Sequence, residues 1–108
     1  MAVEIQDNSK EVYDNIKAAL LRGLEKCGLT AERFAKKLAP YDTGNLRNSI
    51  THEVDDGEPA VYIGTNVEYA PYQELGTINM DANPFLKPAV ADHANTYRKI
   101  IEKELKNG

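Results

Sequence analysis

Apolar residues recur at Val12, Ile16, Leu20, Leu24, Cys27, Ala31, Phe34 and Leu38, in steps of three and four that keep one phase across Gly28. Gly28 and Thr30 resemble a helix stop followed by a fresh cap, yet two independent helices need not share a phase. The pattern therefore predicts one helix, with Asn8 as its cap and Glu11 at the capping-box spacing. Ala39-Pro40 ends it, because the residue before proline avoids the helical region. Thirty residues at about 1.5 Å each span roughly 45 Å, longer than a 100-residue globule is wide. Part of this helix has to project or pack on another chain.

After the helix, Asp42-Thr43-Gly44-Asn45 reads as a turn, or as a short helix through Asn45 to Asn48, with Gly44 supplying a positive φ. Ile50, His52 and Val54 alternate with Thr51 and Glu53; Asp55-Asp56-Gly57 turns the chain, and Ala60-Val61-Tyr62-Ile63 returns it. This predicts an antiparallel hairpin. Val67-Glu68-Tyr69 is expected as a third strand, and Pro71 opens a helical turn through Leu75 that Gly76 closes. Asn83-Pro84 then starts a second long helix with the stripe Leu86, Val90, Ala94, Tyr97, Ile101 and Leu105; Pro88 is near enough to its start to be tolerated. The expected fold is α+β: one domain over residues 1–108, with two amphipathic helices on a small antiparallel sheet.

Charge narrows the function. The net charge of −4 disfavours a specific nucleic-acid binder, and no lysine or arginine occurs between Asn48 and Leu86. Glu53, Asp55, Asp56, Glu58, Glu68, Glu74 and Asp81 make that stretch an acidic block. The hairpin acids Glu53, Asp55, Asp56 and Glu58 are expected to face a basic neighbour, against the alternative of an ordinary solvated hairpin. No apolar run approaches the roughly 20 residues that span a bilayer, and the first residues lack the basic and apolar regions of a secretory signal. The chain is expected to stay in, or assemble from, the cytoplasm. Cys27 is the sole cysteine, so no internal disulfide, zinc cluster or redox pair is expected.

Catalytic signatures are weak. Asp42-Thr43-Gly44 is the triplet of aspartic proteases, but those enzymes place the aspartate at the end of a buried apolar strand, and here it follows a helix exit. His52 and His93 have no carboxylate or thiol at ligand spacing in sequence, Ser49 and His52 lack an oxyanion loop, and the glycines form no phosphate loop. No enzyme, cofactor or metal is expected. Tyr41, Tyr62, Tyr69 and Tyr72 cluster in the turn and sheet region, either filling a core that lacks tryptophan or serving an interface. Tyr41 and Tyr72, with the hairpin acids, are the candidate interface residues.

Three stretches are more specific. They are Ala39-Pro40-Tyr41-Asp42-Thr43-Gly44-Asn45-Leu46-Arg47-Asn48-Ser49-Ile50, Tyr69-Ala70-Pro71-Tyr72-Gln73-Glu74-Leu75-Gly76-Thr77, and Asn83-Pro84-Phe85-Leu86-Lys87-Pro88-Ala89. In this order, after a long amphipathic helix, they resemble the tail-completion or head–tail joining family of long-tailed bacteriophages and prophages, over about Val12 to Lys103. Leu75 departs from it, where an aromatic is common. The resemblance implies a structural virion protein of the neck or tail, acting by stoichiometric assembly. Its implied partners are head–tail connector or tail proteins and copies of itself in a ring. With DNA passing through such a ring, the hairpin acids would face either its channel, where a lining without bases lets DNA slide, or a basic neighbour. Physically, Gly44, Gly76 and Pro84 would set backbone geometry, Leu46, Ile50, Phe85 and Leu86 would enter the core, and Arg47 would pair with Glu74. A small acidic adaptor module, or a dimeric aspartic protease using Asp42, are the alternatives.

Overall fold

The computed structural model describes residues 9–39, 44–78 and 81–107. The expected single helix is present as α1 (Ser9–Leu38), continuous through Gly28. The short α2 (Gly44–Ser49) follows, then the hairpin of β1 (Thr51–Asp55) and β2 (Ala60–Gly64), α3 (Ala70–Leu75), α4 (Leu86–Ala91) and α5 (Ala94–Asn107). The fold is α+β, helices packed on a two-stranded antiparallel sheet, and it extends over 80 × 23 × 23 Å.

The expected stripe of α1 is buried in its middle and open at its ends. Cys27 and Ala31 are buried and Leu20, Leu24 and Phe34 half-buried, while Val12, Ile16 and Leu38 are exposed. Ala19, Gly23, Gly28 and Ala35, with Ala39 just past the helix, complete the buried face, where small residues allow close backbone approach. A Cβ on Gly28 would lie 2.4 Å from the His52 ring, and one on Gly23 would lie 2.8 Å from Ile101 Cδ1.

The hairpin lies on α1 in the register His52↔Ile63 and Val54↔Val61. Alternation holds along β1: His52 and Val54 are half-buried, and Thr51, Glu53 and Asp55 face out. Where the hairpin meets α2 and α4, Leu46, Ile50 and Phe85 are fully buried with Ala35, Ala39, Ala70 and Ala89, and Leu86 packs against them.

Two expected elements take other forms. Val67-Glu68-Tyr69 is not a strand: the Ala70 N–H donates to the Val67 carbonyl at 3.1 Å, so the segment turns directly into α3. The second long helix begins at Leu86 and is broken at Asp92-His93. His93 stacks on Phe34 with ring centroids 3.7 Å apart, and the Tyr97 hydroxyl donates across the break to the Ala89 carbonyl. Of the expected stripe, Leu86, Tyr97 and Ile101 are half-buried, while Val90, Ala94 and Leu105 are exposed and Glu104 is buried instead.

Candidate assembly surfaces

Strand β1 carries His52 onto α1 between two carboxylates. Its Nδ1 lies 2.6 Å from Glu32 Oε2 and its Nε2 lies 2.7 Å from Glu25 Oε1. A neutral imidazole has one N–H, so two carboxylate acceptors favour the doubly protonated cation. The hydrogen bond to Glu32 is the main cause raising the His52 pKa above its ordinary value, and the bond from His52 lowers that of Glu32. Sequence spacing hid this cluster, because its carboxylates are 20 and 27 residues away and meet the ring only through the hairpin's docking.

A second ionic joint ties α5 to α1. Glu104 is buried and accepts from Lys26, with Arg22 Nε at 3.5 Å; the Lys26 ammonium is the main cause lowering its pKa. Nearby Cys27 is also buried, which pushes its thiol pKa up. A narrow apolar pocket of about 150 Å³ opens beside it, among Leu24, Val61, Ile63, Val90 and Tyr97.

The sequence-predicted motif residues divide by role. Leu46, Ile50 and Phe85 fill the core, and the Ser49 hydroxyl hydrogen-bonds the Leu46 carbonyl at 2.7 Å. Gly76 closes α3 with φ 77°, and Pro71 sits in its first turn. Gly44 is the first residue of α2. The expected Arg47–Glu74 pair does not form: Glu74 Oε1 accepts the Phe85 and Leu86 N–H groups at 3.1 and 2.8 Å, and Oε2 accepts that of Lys87 at 3.1 Å. Glu74 therefore caps α4, the role expected of Asn83. Pro84 is exposed ahead of that helix, half-buried Pro88 lies in its first turn, and Tyr69 is half-buried before α3. Tyr41, Asp42 and Thr43 lie outside the described residues, as does Asn8.

Three surfaces remain open. Every residue from 9 to 16 is exposed, including Val12, Tyr13 and Ile16 at 45, 64 and 54 %. This arm precedes Ala19, the first buried residue of α1. The hairpin acids Glu53, Asp55, Asp56 and Glu58 are all exposed, as is Tyr72. On the C-terminal half of α1, a shallow cleft of about 580 Å³ is lined by Leu29, Glu32, Arg33, Lys36, Lys37 and Arg47.

Packed helices with a docked hairpin leave charged and apolar surfaces open on an α+β scaffold. The family model described as "Bacteriophage HK97-gp10, putative tail-component" matches residues 4–76, more than half of the 108. The chain belongs to this family of phage tail components. The match spans α1, α2, the hairpin and α3, and ends at the left-handed Gly76. Neither the curated proteins nor the solved structures hold a significant match. No helix among the described residues is long and apolar enough to cross a membrane.

Proposed function

We propose that the protein completes the tail or joins it to the head, as a stoichiometric subunit of a ring in the virion neck or tail. It assembles in the host cytoplasm, binds neighbouring connector or tail proteins and copies of itself, and acts without catalysis or cofactor. The observation that carries this reading is the α1 arm: Val12, Tyr13 and Ile16 project past the packed domain with no covering element among the described residues. Apolar side chains held on a rigid helix are anchors of the kind that helix-in-groove contacts use. Family membership supports a place in the tail.

The test is electron microscopy of particles made without this protein. Separate filled heads and tails, or tails of unfinished length, are expected, with restoration when the protein is supplied in trans. Supplying Asp42→Asn should restore joining equally well. Normal particles in its absence would refute the reading, and a stable 1:1 complex with a soluble partner would favour the adaptor alternative.

A further inference from the structure

The cleft on α1 and the tip of the hairpin carry opposite charge. Arg33, Lys36, Lys37 and Arg47 line the cleft with one carboxylate, Glu32, and that carboxylate is already engaged by His52 and Lys36. Arg33 and Lys37 stand one helical turn apart, both exposed, and no ion pair joins either to another described residue. Asp55, Asp56 and Glu58 crowd the hairpin tip, where Asp55 Oδ1 accepts the Gly57 N–H at 2.9 Å and fixes the turn.

The fold keeps these two surfaces apart. Ile50 packs with Ala35 and Ala39, whereas His52 lies on Gly28, so β1 runs toward the N-terminal half of α1. At about 3.3 Å per residue, the end of β1 at Asp55 lies roughly 10 Å beyond His52 along the strand. At about 1.5 Å per residue, Lys36 lies roughly 12 Å from Gly28 in the other direction. Among the described residues no ion pair joins Asp55, Asp56 or Glu58 to the cleft within one chain, which leaves both surfaces open to a second copy.

We propose that the acidic hairpin tip of one copy seats in the basic cleft of a second copy, joining subunits head to tail. This rests on the ring reading above and supplies its joint. A heterologous contact of this kind leaves one tip and one cleft open at the ends of any chain of copies, and only closure satisfies both. Exposed ion pairs are individually weak and are screened by salt, so two isolated copies associate poorly. Closure makes the last contact intramolecular and holds the ring.

Two single-cysteine additions that leave every charge in place test this: Leu29→Cys in the cleft wall and Gly57→Cys at the tip, both exposed. The two variants are mixed and treated with a short bis-maleimide, and the dimers are separated by mass. Buried Cys27 is controlled by the unsubstituted protein. The expected result is a several-fold excess of the Leu29–Gly57 heterodimer over the random ratio, abolished by high salt and by adding Arg33→Glu with Lys37→Glu to the cleft variant. A cysteine at exposed Lys99 on α5, paired with Gly57→Cys, should give the random ratio. A random ratio for the Leu29–Gly57 pair overturns the joint. So does a random ratio accompanied by protection of Leu29→Cys on adding duplex DNA, which assigns the cleft to phosphates. Circular dichroism checks that each variant is folded. The ring reading fails separately, if particles lacking the protein remain normal.

Discussion

His52 Nδ1 on β1 lies 2.6 Å from Glu32 Oε2 on α1, and this contact fastens the hairpin to the long helix. Replacing His52 by alanine removes a charge-assisted hydrogen bond to each of two carboxylates. The expected loss is about 2 kcal/mol of stability, the range for hydrogen bonds to charged groups. Denaturant unfolding measures it.

The same contact sets a pH dependence. The His52 pKa is raised in the folded state, so its stabilisation is complete below the ordinary value near 6.5 and is lost as pH rises through the raised one. Glu32 has a lowered pKa, so its stabilisation is present above the ordinary carboxylate value and is lost as pH falls through the lowered one. Lys36, which holds Glu32 Oε1 at 3.0 Å, and Glu25 are the other charged groups facing this pair. Thermal melts should give a plateau between the two limits. In His52→Gln the decline on the alkaline side should disappear, and its persistence would assign the decline to another group.

Gly23 and Gly28 should respond oppositely to alanine, although both are buried on one face of α1. Alanine is favoured over glycine in a helix by about 1 kcal/mol. At Gly23 the new methyl meets the flexible end of Ile101, which can rotate away, so Gly23→Ala should be neutral or stabilising. At Gly28 it meets the His52 ring, held between two carboxylates, and Val61 Cγ2 at 2.9 Å. Overpacking of that kind costs about 1–3 kcal/mol, so Gly28→Ala should be net destabilising. Melting temperatures of the two variants decide it.

Periodicity made α1 and the hairpin legible, because an unbroken phase and a two-residue alternation each have one structural solution. It placed Cys27 and Ala31 correctly on the buried face but missed Gly23, Gly28 and Ala35, since a hydrophobic stripe marks large residues while close backbone approach calls for small ones. The break at Asp92-His93 carries no proline or glycine and was invisible locally; it rests on Phe34, far away in sequence. The hairpin acids were recognisable as a surface, but the basic cleft was not, because its cations come from α1 and α2 and the fold gathers them.

Glu74 was legible as a motif residue and not as a cap, since its three N–H partners follow 11 to 13 residues later. Loss of a helix cap costs about 1 kcal/mol, and the carboxylate's charge adds a favourable interaction with the helix dipole. Glu74→Ala should therefore destabilise by about 1–2 kcal/mol, with Glu74→Gln intermediate because its carbonyl oxygen still accepts. Phe85 packs fully buried beside this cap, so hydrogen exchange should show the α4 amides opening first. Equal exchange across α4 and α5 in Glu74→Ala would show that the cap is dispensable.

The arm offers the most direct separation of folding from assembly. Val12, Tyr13 and Ile16 are about half exposed or more, so replacing all three by serine should move stability little, each surface change lying within about 0.5 kcal/mol. The unaltered protein is expected to be a monomer or weak oligomer in dilute solution and to associate further as concentration rises, because weak joints close cooperatively. Light scattering over a concentration series should show that rise, and the serine variant should associate less while melting at the same temperature. Supplied in trans to particles lacking the protein, it should leave heads and tails apart. A tight hexamer or larger ring of the unaltered protein at micromolar concentration would remove the need for virion partners. Full joining by the serine variant would show that the arm is merely solvated, and assembly would then have to rest on the hairpin and cleft alone.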